Sequence, residues 1–169
     1  MSGGKVKRHF RIFVASAGDV QPERDAIPDV VTRVNRALSA QTDVHLELWR
    51  WENDAVPGLA KGGPQAQIDP ELDQADIVIL LVWNRMGVGT ASEFERALKR
   101  WKRSGHPHVL IYVCARASRL DSSKALADRQ AVVDFLDRIK TIALYQTYEQ
   151  PDDVARLVHD HLLQLAPRL

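Results

Sequence analysis

Five short runs rich in β-branched and aliphatic residues recur along this chain, separated by longer segments of helical periodicity. That alternation constrains the fold more than any other feature. The runs are HFRIFVAS, Val44 to Trp51, DIVILLVW, HVLIYVCA and TIALYQTY, and their length and composition predict strands. Between them lie apolar stripes at helical spacing: Ile27, Val30, Val31, Val34 and Leu38; then Phe94, Ala97, Leu98 and Trp101; then Val132, Phe135, Leu136 and Ile139; then Val154, Leu157, Val158, Leu162 and Leu165. A shorter helix is predicted over Pro64 to Gln74. Strands this apolar need cover on both faces, which interleaved helices supply, so the pattern predicts an open parallel sheet with right-handed crossovers.

At 169 residues and 45% hydrophobic content, the chain suits one domain with one core. Its 23 Lys and Arg against 22 Asp and Glu leave no global field for a nucleic-acid backbone or an anionic membrane. The local basic stretch Lys99, Arg100, Lys102 and Arg103 is read as the solvated face of a helix. Cys114 is the one cysteine and sits within HVLIYVCA, which predicts a core thiol in a reducing compartment. No run has the length of a signal peptide or a membrane span, so the sequence predicts a cytoplasmic protein.

In open α/β sheets ligands bind beyond the carboxyl ends of the strands, where strand order reverses. For the order 2-1-3-4-5, that crevice lies between the first and third strands. The segments following them are Ser16, Ala17, Gly18 and Asp19, and NRMGVGT from Asn84 to Thr90. The segment Glu52 to Pro64 is longer than compact domains commonly use between elements, which marks it as a functional loop or a floppy connection. No GxxxxGK[ST] occurs, and Gly87, Gly89 and Ser92 lack the later acidic residue of a dinucleotide fingerprint. The pairs His106/His108 and His159/His161 lack zinc spacing, and Ser16 lacks a GxSxG elbow, so neither a metal nor a hydrolase triad is predicted.

Glu93 admits two readings. Thr90, Ala91, Ser92, Glu93 has the form of a capping box, in which glutamine would replace Glu93 within about 1 kcal/mol. Alternatively Glu93 borders the crevice as a working carboxylate. Asp19 reads as a cap for the first long helix, with Pro22 in its first turn. Glu95 is the rival carboxylate, but about 200° of helix separates the two, and position 95 is expected to face solvent.

The stretches RIFVASAGDVQPERDAI, LELWRWE, QAQIDPELDQADIVILLVWNRMG and GTASEFERAL together resemble the TIR-like (Toll/interleukin receptor) domains of bacterial signalling and defence proteins. The resemblance runs with gaps from about Phe10 to Val113. It implies a flavodoxin-like fold, a five-stranded parallel sheet of order 2-1-3-4-5 with helices on both faces. It also implies cleavage of NAD at the nicotinamide glycosidic bond by one glutamate, here Glu93, with NAD as substrate rather than cofactor. Gly87 and Thr90 stand where the commoner Ser-x-x-Cys-x-x-Glu pattern has serine and cysteine. The further implications are self-association through TIR–TIR contacts, a role in antiphage defence, and a following sensor or NTPase domain. Residues 1–169 then form a single domain excised from a longer chain.

Ser16, Ala17, Gly18, Asp19, Met86 and Thr90 border the predicted crevice. Trp49, Trp51 or Trp83 would stack on nicotinamide or adenine, Arg85 would meet the diphosphate, and the helix N-terminus would keep Glu93 ionised. Two alternatives stand beside this reading: a non-enzymatic TIR assembly module, and a glycosidic-bond enzyme resembling nucleoside deoxyribosyltransferases, in which a similar glycine-threonine segment precedes a glutamate. If assembly completes the site, specific activity climbs across a series of rising protein concentration. A flat specific rate, read as nicotinamide released per mole of protein, would argue against assembly control.

Overall fold

Every residue of strand β3 (Ile77–Val82, IVILLV) is buried, a state a strand reaches only when both edges are paired and both faces covered. In the computed structural model, which describes residues 6–169, β3 pairs in parallel with β1 (Arg8–Ser16) and β4 (His108–Cys114). Beyond β1 lies β2 (Val44–Trp49), and beyond β4 lies β5 (Gln146–Tyr148), giving one parallel sheet of order β2-β1-β3-β4-β5. This is the open parallel sheet that the alternating pattern predicts, in the flavodoxin-like order that the resemblance implies.

Strand alternation sorts the core into two layers. Ile12, Val14, Ile77, Ile79, Leu81 and Tyr112 pack under helices α1 (Gln21–Leu38) and α6 (Pro151–Leu165). Phe13, Ala15, Val78, Leu80, Val82 and Val113 face α3 (Gln65–Asp73), α4 (Gly87–Ser104) and α5 (Ser123–Ile139). The edge strand β2 is tied to α1 by one side chain. Asn35 donates Nδ2 to the Leu46 carbonyl and accepts from the Leu46 N–H, both at 2.8 Å.

Three element boundaries differ from those expected. β2 stops at Trp49 because Trp51–Asp54 winds into a helical turn, α2, whose Asp54 carboxylate accepts from the Arg50 N–H at 2.7 Å. The irregular segment therefore starts at Ala55 rather than Glu52. β5 keeps three residues instead of eight, because Ile142 and Ala143 are still bonded back to Ile139 at the end of α5. α4 begins at Gly87, three residues ahead of the expected start at Thr90.

Of the basic stretch, Arg100 is not simply solvated. Its guanidinium donates to the carbonyls of Leu72 and Ala75 at the end of α3. Among the described residues no helix is long and apolar enough to cross a membrane. Asn35→Ala should cost about 1–3 kcal/mol in urea unfolding, since two backbone groups of the edge strand lose their partner. An exposed control such as Asp29→Ala should stay within about 0.5 kcal/mol.

Candidate functional site

Glu93 lies on the buried stripe of α4, together with Phe94, Ala97 and Leu98. Gly87 starts the helix with φ +68°, a left-handed conformation that glycine adopts at low cost, and Met86 is an N-cap without a side-chain bond. Thr90 is thus the fourth helical residue and Glu93 the seventh. The capping box is not formed, because neither residue stands at the helix start. Both face inward instead, Thr90 at 6% and Glu93 at 8% exposure. Glu95 faces outward, pairs with Arg138 across to α5, and lines a groove of about 700 Å³ between α4 and α5.

Burial dominates the charge state of Glu93, pushing its carboxyl up to about 7. Hydrogen bonding from Gln65 and the positive charge of Arg24 pull the other way, while Asp69 and Glu52 add to the rise. This corrects the expectation that a helix N-terminus holds Glu93 ionised. The dipole acts within the first turn, and Glu93 is beyond it. Gln65 opens α3 and lies over Gly89, its Oε1 3.4 Å from where a Cβ on that glycine would stand. Its Nε2 donates to Asp69 at 3.0 Å.

A buried cation at the carboxyl end of β1 was not anticipated. Arg24, 4% exposed, donates Nε and Nη2 to the Glu52 carboxylate at 2.5 and 3.0 Å. Its Nη1 donates to the Val14 carbonyl at 2.6 Å and to Ser16 Oγ at 3.2 Å. A signal was present in the sequence: Glu23 and Arg24 sit four and three residues before Ile27, on the N-terminal extension of the apolar stripe of α1. Charges at such positions are buried ones, and both residues are.

The structure bonds Arg24 to Ser16 and Glu52 at the carboxyl ends of β1 and β2, and sets Gln65 of α3, itself bonded to Asp69, against Glu93 of α4. The remaining predicted residues form a second group. Asp19 does not cap α1, whose N-cap is Val20; its Oδ2 accepts from the backbone N–H groups of Asn84 and Arg85 at 3.0 and 3.2 Å. Asp19 thereby clamps the loop after β1 to the loop after β3. Gly18 lets Arg85 lie close, since a Cβ there would stand 3.2 Å from the Arg85 guanidinium. Ala17 precedes this turn, and Met86 is buried against the core while lining the α4/α5 groove.

The three tryptophans part company. Trp49 stacks on Phe13, with ring centroids 5.6 Å apart, and packs partly buried against the core. Trp83 is covered by the Arg116 guanidinium at 4.6 Å and donates Nε1 to the Arg116 carbonyl. Arg116 in turn pairs with buried Glu23 at 2.6 Å. Trp51, at the start of α2, is half exposed. Cys114 is buried and its thiol is pushed up by that burial, as a core thiol should be. Among the described residues no three His, Cys, Asp or Glu side chains converge to hold a metal.

The raised Glu93 carboxyl ties stability to pH. Below the unfolded value of 4.5 both states are protonated and nothing is lost. As pH rises from there to about 7, the unfolded chain releases the proton first, so stability falls, by about 3 kcal/mol in all. Glutamine carries no such charge. Glu93→Gln should therefore match wild type in urea unfolding near pH 4.5 and exceed it by about 3 kcal/mol at pH 8, in place of the near-equality a capping box predicts. A gap that does not widen with pH would refute the assignment.

Comparison with known proteins gives likenesses of fold. No known protein family matches the sequence, and no curated protein matches it. Among solved structures, the RPS4 and RRS1 TIR domain heterodimer aligns with 94% of this chain and 99% of that chain, at 8% identity and a TM-score of 0.48. Oxidised flavodoxin 1 from Bacillus cereus aligns with 95% and 98%, at 13% identity and a TM-score of 0.43. A conserved protein from Enterococcus faecalis V583 aligns with 92% and 100%, at 16% identity and a TM-score of 0.45.

Proposed function

We propose that this chain is a TIR-type NAD glycohydrolase domain that releases nicotinamide with Glu93 as its catalytic carboxylate, and that it serves as an effector or signalling unit in antiphage defence. One observation carries the reading: a carboxyl buried on α4 to 8% exposure, raised toward neutrality by that burial and hydrogen-bonded by Gln65. Perturbed groups of this kind mark sites of chemistry.

The chemistry suits a single carboxylate. The glycosidic C–N bond of NAD breaks with its electron pair passing to the pyridinium nitrogen, which leaves as neutral nicotinamide. No general acid is needed, in contrast to ordinary glycoside hydrolysis. Water adds at the anomeric carbon and one proton goes to solvent. Glu93 in its ionised form stabilises the positive charge that spreads onto the ribose in the transition state, within a dry site where such an interaction is strong. The substrate assists: its pyridinium cation, seated beside Glu93, favours loss of the carboxyl proton. Trp51 offers an open ring face for stacking, and Arg85 beside Gly18 offers a cation for the diphosphate.

The test is a time course of nicotinamide release from NAD at high protein concentration. Glu93→Gln should lower the rate on the order of a hundredfold or more, for a transition-state contribution of roughly 3 kcal/mol. Glu95→Gln should keep most of it. Because the ionised form acts, the wild-type rate should rise with pH through about 7 and level off above. A wild-type rate in Glu93→Gln would remove Glu93 from the chemistry. Free nucleobase from a deoxynucleoside, with no nicotinamide, would favour the transferase reading, and concentration-dependent self-association without turnover would favour the assembly module.

A further inference from the structure

Arg96, Lys99, Arg100 and Arg103 recur along α4 at the three- and four-residue spacing that places side chains on one face of a helix. With Asp73, the last residue of α3, they line a cavity of about 460 Å³ where the two helices meet. Four cations thus share one hollow with a single acid, in a chain whose formal net charge is +1. Like charges at this spacing repel, so the arrangement costs stability unless an anion answers it. Asp73 answers part of it. Its carboxylate accepts from Arg96 Nε and Nη2 at 2.7 and 2.5 Å, the bidentate geometry in which a guanidinium meets a carboxylate or a phosphate. That hydrogen bonding holds the Asp73 carboxyl below its ordinary range, and the charges of Arg96, Arg100 and Arg103 add to the effect. The rest of the positive charge is unanswered. Arg100 donates only through Nη1, to the carbonyls of Leu72 and Ala75, so its Nε and Nη2 make no bond among the described residues. The side chains of Lys99 and Arg103, both exposed, form no hydrogen bond or ion pair among the described residues.

We infer that this cavity binds a compact small molecule bearing two or more phosphate groups, held by Lys99, Arg103 and the unbonded donors of Arg100, with Asp73 as the intramolecular competitor for Arg96. The volume falls within the range of small-molecule sites. A phosphate group accepts through several oxygens, so one group can take the place of Asp73 on Arg96 while a second meets Lys99 and Arg103. Arg96 keeps its third contact, from Nη1 to Asp69 at 3.1 Å, and stays in place during the exchange. A long polyanion is matched less well, because the cations are gathered in a hollow and the chain as a whole has no basic field to hold an extended backbone. The inference is independent of the glycohydrolase reading and involves no covalent step.

The experiment titrates inorganic pyrophosphate into the full chain by calorimetry at low salt, where exposed charges are least screened. Wild type should bind saturably, and more weakly as salt is raised. Lys99→Gln and Arg103→Gln, at exposed helix positions that glutamine suits, should each weaken binding about tenfold, the loss of one charge-assisted contact. Lys102→Gln removes the same charge from the same helix but from outside the cavity, and should leave the affinity within about twofold. Asp73→Asn withdraws the competitor and should bind several-fold tighter, whereas Asp137→Asn, at the exposed partner of Lys140, should not. No saturation up to millimolar pyrophosphate overturns the inference. So does an equal loss in Lys102→Gln and Lys99→Gln, since charge alone and not the cavity would then account for binding. An Asp73→Asn protein that binds no tighter overturns the competing role. Vesicles bearing a phosphorylated lipid headgroup distinguish the source of the phosphate. Retention on them without any response to pyrophosphate would overturn the small-molecule assignment in favour of a membrane surface.

Discussion

β3 is enclosed on all sides, by β1 and β4 along its edges and by a helical layer on each face, and this enclosure determines where polar chemistry can exist in the molecule. A parallel strand buried in this way carries no ionisable side chain along its length, and IVILLV has none. Charge is displaced to the ends of the strands. At the carboxyl ends the chain leaves the sheet through short loops, and the residues just past β1 and β3 are where unpaired backbone donors meet buried side chains. The site therefore follows from the topology rather than from any one motif.

Three charged residues in the six positions Asp19 to Arg24 organise that end of the sheet. Asp19 binds the backbone after β3, Glu23 binds Arg116 after β4, and Arg24 binds Glu52 after β2. The start of α1 thus reaches the exits of the three other long strands. Arg24 is bonded four times over, whereas Asp19 Oδ1 and Glu23 Oε2 are buried without a hydrogen-bond partner, so compensation at this end of the sheet is uneven. Breaking one partner of such a pair leaves its mate buried and uncompensated, so these residues resist substitution for structural reasons alone. Their presence is not in itself a sign of catalysis.

The fold was legible because the period of the apolar residues states it: DIVILLVW has the continuous apolar run of a strand covered on both faces, and the helical stripes pack where their spacing predicts, save Trp101, which ends the second stripe and stays 40% exposed. The position of Glu93 on the helix that follows β3 was legible for the same reason. Its environment was not. The [ST]xxE spacing is satisfied by Thr90 and Glu93, yet Gly87, free to adopt positive φ, lets the helix start a turn earlier and converts two cap residues into inward-facing ones. Arg24 and Glu52 lie far apart in sequence and meet only through a crossover, as do Gln65 and Glu93, so local spacing carried no trace of either meeting. Arg24 alone left a mark, as a charge on an apolar stripe.

The thermodynamics of Glu93 separates structural from functional use. A capping glutamate contributes roughly 1 kcal/mol to a helix by satisfying orphan donors. Glu93 satisfies no helix-start donor, and its burial works against the fold at neutral pH by about 3 kcal/mol. Glutamine at the same place would keep the hydrogen-bonding capacity without the penalty. A side chain that a one-atom change would improve has no stabilising reason to be an acid. Residues of that kind concentrate where activity trades against stability. The same argument does not extend to Arg24, whose burial is offset by four hydrogen bonds to Glu52, Val14 and Ser16. Its burial is explained by those bonds, and removing Glu52 would leave it the uncompensated partner.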